Sequence, residues 1–187
     1  GLTRPAGSRG TVSQDADGAF DFNEEGLGTH FMLVPEGTQV ARFSLRNSLF
    51  NVANPNVDLH VYRCVKWSCS LVASSQNADA NEDIVLTNPA PANNGDAGDV
   101  YLIWTHGRDL KGAAAANYTL VSWIVNAPVA STASLLASTR AVNGRPNVVT
   151  VTTKNLIKGS LPYMGVVTLS DNTNAVKTST VLEVFAK

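Results

Sequence analysis

The residues of this chain whose types and spacing could support chemistry are few, and most are oxygen donors. Asp58 follows an Asn-rich loop, and Asp96 and Asp99 lie in a loop dense in carbonyls and side-chain amides. Such loops can supply the roughly six to eight oxygens that calcium takes. These three aspartates are therefore the candidate metal ligands, with calcium the candidate cation, although polar loops have this composition without an ion too. Asp15-Ala16-Asp17-Gly18 imitates the start of a calcium loop, but the twelfth position, where an EF-hand carries Glu, is Gly26; it reads as a solvated acidic turn. Zinc lacks its usual signatures, since there is no His-Glu-x-x-His, no paired Cys-x-x-Cys and no pair of histidines near the cysteines. Of the three histidines, His30, His60 and His106, the second alternates outward on its strand and the third stands where a strand meets Gly107. A serine nucleophile needs a base, an orienting acid and oxyanion donors. No serine sits in a Gly-x-Ser-x-Gly elbow, so no catalytic residues are expected.

Cys64 and Cys69 are the only cysteines, with four residues between them, and they suit the tip of a hairpin. Without a Cys-x-x-Cys motif they favour a local disulfide and an oxidising compartment, extracellular or periplasmic; two free thiols in a cytosolic chain is the alternative. A bridge over so short a loop contributes about 2 kcal/mol by loop entropy. Trp67 lies within that turn, either exposed and suited to sugar or peptide contacts or packed on the disulfide. It is the candidate binding residue. Asn117-Tyr118-Thr119 is an N-glycosylation sequon.

The elements that would position these residues are strands. Residues 57–62 alternate Val57, Leu59 and Val61 on one face with Asp58 and His60 on the other, the period of a half-buried strand. Further strands are predicted at 30–34, 40–46, 71–73, 84–86, 100–105 and 118–125, with one short candidate at 11–13, and no helical periodicity is sustained before residue 125. The punctuation is Gly, Pro, Asn and Asp, as in Asn93-Asn94-Gly95-Asp96. Such a series reads as a β-sandwich, of jelly-roll or immunoglobulin-like type. From Asn126 the texture turns to Val, Thr, Ser and Ala, and four more strands follow at 134–142, 147–153, 163–170 and 178–185. The expected organisation is an N-terminal extension or linker over 1–28, a larger sandwich over 29–126 and a smaller one over 127–187.

Hydrophobic residues make up 44% of the chain, enough for a core, whereas charged residues are only 16% and the formal net charge is −1. That balance offers no electrostatic footprint for nucleic acid. No apolar run reaches the roughly 18 residues of a membrane-spanning helix, so no membrane insertion is expected. The N-terminus lacks the apolar core of a signal peptide, as if a leader had been removed or the chain excised from a longer one.

The order of these strands resembles the C-terminal region of secreted bacterial subtilisin-like serine proteases. Ala41-Arg42-Phe43-Ser44-Leu45, a polar loop and Val57-Asp58-Leu59-His60-Val61-Tyr62 are similar to the core of a pre-peptidase C-terminal domain. Val100 to Trp104 and Asn117 to Trp123 resemble its last two strands, and Tyr163 to Asp171 with Thr178 to Val184 resembles the terminal fibronectin type III-like module. The catalytic stretches of the family are absent. The resemblance implies a non-catalytic accessory region acting in stability, secretion, substrate capture or anchoring. Its partner would be the catalytic domain of the parent chain or a protein substrate. A free-standing extracellular adhesin or carbohydrate-binding module is the other expectation.

Overall fold

The computed structural model of the chain describes all residues except 23, 67, 90–96, 127–131, 139–144, 174 and 187. The described elements are strands β1 (Ala6–Ser13), β2 (Leu27–Pro35), β3 (Val40–Ser44), β4 (Asn56–Val65), β5 (Ser68–Ser75), β6 (Asp83–Thr87), β7 (Gly98–Asp109), β8 (Ala115–Val125), β9 (Ala133–Ala137), β10 (Val149–Thr153), β11 (Tyr163–Ser170) and β12 (Val176–Val184), with one short 3-10 turn at Asn47–Leu49. The protein is all-β. Two compact units are formed, residues 6–126 and residues 1–5 with 127–187.

The larger unit consists of two four-stranded antiparallel sheets, in the orders β1-β8-β3-β6 and β2-β7-β4-β5. This interleaved order is that of a jelly roll. Its core is made by the alternate residues that face between the sheets. Val57, Leu59 and Val61 of β4 and Tyr101 and Ile103 of β7 meet Ala41 and Phe43 of β3 and Tyr118 and Leu120 of β8, all almost fully buried. Strand β3 is central and every one of its five residues is buried. Arg42 nevertheless points away from the core, as its alternation requires. Its guanidinium lies 5.0 Å from the Trp123 ring centre and its Nε donates to Asp83 at 2.7 Å. Trp123 is thus buried against the outer face of its sheet.

Residues 1–28 are not the extension or linker expected of them. Eight residues of β1 pair with β8 from Ala6↔Ser122 to Ser13↔Ala115, and the described residues of 14–26 return across the second sheet. Strand β1 sits at a sheet edge and sends only Val12 into the core, so its alternation is weak in a Gly-rich segment. The smaller unit contains the hairpins β9–β10 and β11–β12 among its described residues. Thr3 bridges to Met164, with backbone bonds of 2.7 and 3.0 Å, and Leu2, Tyr163 and Met164 are buried together in this unit. Among the described residues no helix is long and apolar enough to cross a membrane.

A polar line crosses the jelly-roll interior and joins the sheets. The Tyr118 hydroxyl on β8 is 2.8 Å from Nε2 of His30 on β2 and 2.7 Å from Oγ1 of Thr105 on β7, while Nδ1 of His30 meets Oγ of Ser8 on β1 at 3.0 Å. Burial pushes the Tyr118 phenol up to about 12, so it stays protonated and able to donate. Removing this hydroxyl leaves Nε2 of His30 without its partner and Thr105 Oγ1 with only a 3.4 Å bond to the Gly28 carbonyl, both on the inner face of the β2-β7-β4-β5 sheet. Tyr118→Phe should cost about 1–3 kcal/mol, read as a lower urea midpoint with an unchanged slope.

Cys64 and Cys69 form a disulfide between directly paired residues of β4 and β5. The bridge closes a short loop, so Cys64→Ser with Cys69→Ser should lower stability by only about 2 kcal/mol. The same denaturation measurement checks this.

Candidate functional site

The site lies on the face of β4 and β7 that points away from the sandwich core. Because Val57, Leu59 and Val61 face inward, Asp58, His60 and Tyr62 must face outward. The antiparallel register sets Asp58 opposite His106 and His60 opposite Trp104. Two histidines and a carboxylate therefore come together on the two central strands of the sheet.

The described residues of the segment 14–26 cover this face. Both ends of the segment are pinned to one residue: Asp15 N–H donates to the Gly107 carbonyl and Gly107 N–H donates to the Gly26 carbonyl, each at 2.9 Å. A Cβ at position 107 would lie 2.2 Å from the Ser13 carbonyl oxygen, so only glycine lets the end of β1, from which the segment departs, approach so closely. The segment then lays Phe20 on His60 with ring centres 3.9 Å apart and an interplanar angle of 18°. Phe22 meets the edges of Tyr62 and Trp104 at 5.5 and 4.8 Å. Asp58, His60 and His106, expected at an open strand face or strand end, are consequently buried, as is Asp15. The acidic turn expected at 15–18 is thus solvated at Asp17 only, with Asp15 turned inward.

The polar atoms of this cluster are close but poorly bonded. Nε2 of His106 is 3.3 Å from Asp15 Oδ2, and its Nδ1 is 3.5 Å from Asp58 Oδ2. Both ring nitrogens of His106, Nε2 of His60, Oδ2 of Asp15 and Oδ1 of Asp58 are buried without a hydrogen bond. Arg108 brings Nη1 to 4.0 Å from Asp58 Oδ2 from a half-exposed position. Burial lowers the pKa of both imidazoles, but the carboxylates of Asp58 and Asp15 reverse the direction at His106 and hold it above the usual histidine value. At His60 burial prevails and the ring is held below that value, with Asp58 opposing and His106 assisting. For Asp15, burial acts upward, yet the His106 ring and the Gly18 and Ala16 amides keep its carboxyl low. Asp58, His60 and His106 can bring one ligand atom each to within 4.8 Å of one another, a set that could hold a metal.

Asp58 and Asp99, two of the three aspartates proposed from sequence, do not converge. Asp99 is 7 residues from His106 along β7 (106 − 99), or about 23 Å of strand, and so faces the opposite side of the sheet from Asp58. There it accepts from Arg63 Nε at 2.6 Å. Asp96 and Trp67 lie outside the described residues. Sequence reading missed His60, His106 and Asp15 as partners. An Asp-x-His pair on one strand face was the available signal, but only the register brings His106 to it.

A second feature is a shallow groove of about 610 Å³ bordered by Arg9, Thr11, Phe50, Asn51, Asn117 and Tyr118, with Phe50 stacked on Tyr118 at 5.4 Å. The sequon residue Asn117 opens onto it. His30, which is hydrogen-bonded to Ser8, faces the Tyr118 phenol through its other nitrogen, where a hydrolytic triad would place a carboxylate.

Comparison with protein-family models, with curated proteins and with solved structures returned no match.

Phe20 is the main shield of His60. In metal-free protein, Phe20→Ala should let water reach the ring and raise the His60 pKa back toward 6.5, the value from which burial lowers it. Titration of the imidazole C–H resonances by NMR reads this directly. A His60 pKa that stayed put would assign the shift to other neighbours.

Proposed function

We propose that this chain is a non-catalytic accessory region of a secreted subtilisin-like serine protease, a docking module for the catalytic body of its parent chain or for a protein substrate. The observation that carries the reading is an apolar patch on the uncovered part of the β2-β7-β4-β5 face. Phe31, Leu33 and Val100 are 71, 50 and 41% exposed, and Leu33 pairs directly with Val100. Grouped exposed apolar side chains of this kind mark interaction surfaces. The disulfide at the β4–β5 turn suits an oxidising, extracellular setting. The order of sequence signatures set out above supplies the protease context.

Two measurements test it. The locus encoding the chain should carry a subtilisin-like catalytic segment upstream in the same reading frame. In that full-length protease, Phe31→Ser with Leu33→Ser should reduce either thermal half-life or retention on an insoluble protein substrate several-fold, while hydrolysis of a short chromogenic peptide is unchanged. A locus without a protease segment, or a double variant indistinguishable in both assays, overturns the proposal.

The groove beside Phe50 favours the second reading, a free-standing adhesin or carbohydrate-binding module. Its aromatic floor and Asn and Thr rim suit a sugar ring. On that reading a glycan screen gives saturable binding that Phe50→Ala or Trp67→Ala abolishes.

A further inference from the structure

We propose that Asp58, His60 and His106 form a structural binding site for a divalent transition metal of the zinc class, with Asp15 as the carboxylate that orients His106. The inference is independent of the docking reading. It also differs from the calcium site expected from Asp58, Asp96 and Asp99.

Four observations lead to it. The donor set is two imidazoles and a carboxylate, which suits zinc, copper or nickel and does not suit calcium, whose ligands are oxygens. The three side chains are almost fully buried, with residue exposures of 1, 4 and 1%, and their polar atoms should therefore be satisfied. Instead, Asp58 Oδ1, His60 Nε2 and both His106 nitrogens have no hydrogen bond. Leaving so many buried polar atoms unpaired is costly, and a shared cation would take one donor from each residue and leave the other His106 nitrogen to Asp15.

The spacing also fits. Bonds of about 2.0–2.1 Å in a tetrahedral shell put neighbouring donors about 3.3–3.4 Å apart, and His106 Nδ1 lies 3.5 Å from Asp58 Oδ2. That separation is long for a charge-assisted hydrogen bond but close to an edge of such a tetrahedron. Coordination through Nδ1 turns Nε2 of His106 toward Asp15 Oδ2, 3.3 Å away. A carboxylate behind a metal-bound histidine fixes the tautomer and strengthens the ligand.

The surroundings indicate a structural role. Phe20 roofs His60, and Trp104 stands beside Phe20 at 5.7 Å, so the ion would be shielded from substrate. Because Asp15 belongs to the covering segment, the ion would also hold that segment to the sheet. Among the described residues, Arg108 is the one arginine or lysine within 4.0 Å of these carboxylates. It reaches Asp58 only at 4.0 Å from a half-exposed position. A protonated His106 between two carboxylates is the competing account of the cluster, and it predicts no metal affinity.

The test uses the full 187-residue chain, stripped with chelator, and zinc, cobalt and calcium ions as probes. Zinc should bind with one equivalent per chain. At about a hundredfold excess over its Kd it should raise the melting midpoint by about 5–10 °C, and calcium should not. Cobalt should give the intense visible absorption of a four-coordinate ion with nitrogen ligands. His60→Phe preserves the stack on Phe20 while removing the donor, and should weaken zinc binding at least 100-fold. Asp15→Asn should weaken it by about 10–100-fold and keep the cobalt spectrum. If His60→Phe does not melt cooperatively, His60→Gln serves the same comparison. Absence of stoichiometric zinc, a midpoint raised by calcium but not zinc, or wild-type affinity in the His60 variant would each overturn the proposal.

Discussion

The contact on which the jelly-roll unit depends most is the close approach of residues 14–26 to Gly107. Two backbone hydrogen bonds tie the segment down there, and the absence of a side chain at that position makes room for the end of β1 that leads into it. Everything distinctive about the outer face of the β4–β7 pair follows. With the segment in place, Phe20 and Phe22 roof the sheet and Asp15 is driven inward. Asp58, His60 and His106, which strand alternation alone would expose, lose their water. Buried charges and imidazoles must then be balanced by one another or by a bound cation, because isolated desolvated charge is too costly to keep.

The same sheet is used in two opposite ways along its width. Over β4 and the adjoining end of β7, the chain covers its own face and builds a closed polar cluster. Toward β2 and the other end of β7, nothing described covers Phe31, Leu33 and Val100, and the face remains apolar and open. This division separates a candidate structural centre from a candidate docking surface on one rigid support. The support is rigid for a further reason: the Ser8–His30–Tyr118–Thr105 line crosses the interior and couples both sheets through bonds that only this packing satisfies.

The sequence by itself determined the all-β class and the inward and outward faces of β4, because alternation is a local property of a pleated chain. It also indicated the disulfide, since Cys64 and Cys69 are close enough in the chain to meet across one turn. It saw only a short candidate strand at 11–13 and left residues 1–28 outside the sandwich, because β1 is an edge strand with one buried apolar residue whose pairing depends on β8 more than a hundred residues later. It gathered Asp58 with Asp99 because both stand in or beside polar loops, whereas the pleat puts them on opposite faces. Only the tertiary structure decided that His106 lies opposite Asp58 and that Phe20 closes over His60. Register and burial are long-range outcomes: they depend on which strands become neighbours and on whether a distant segment can fit against a glycine.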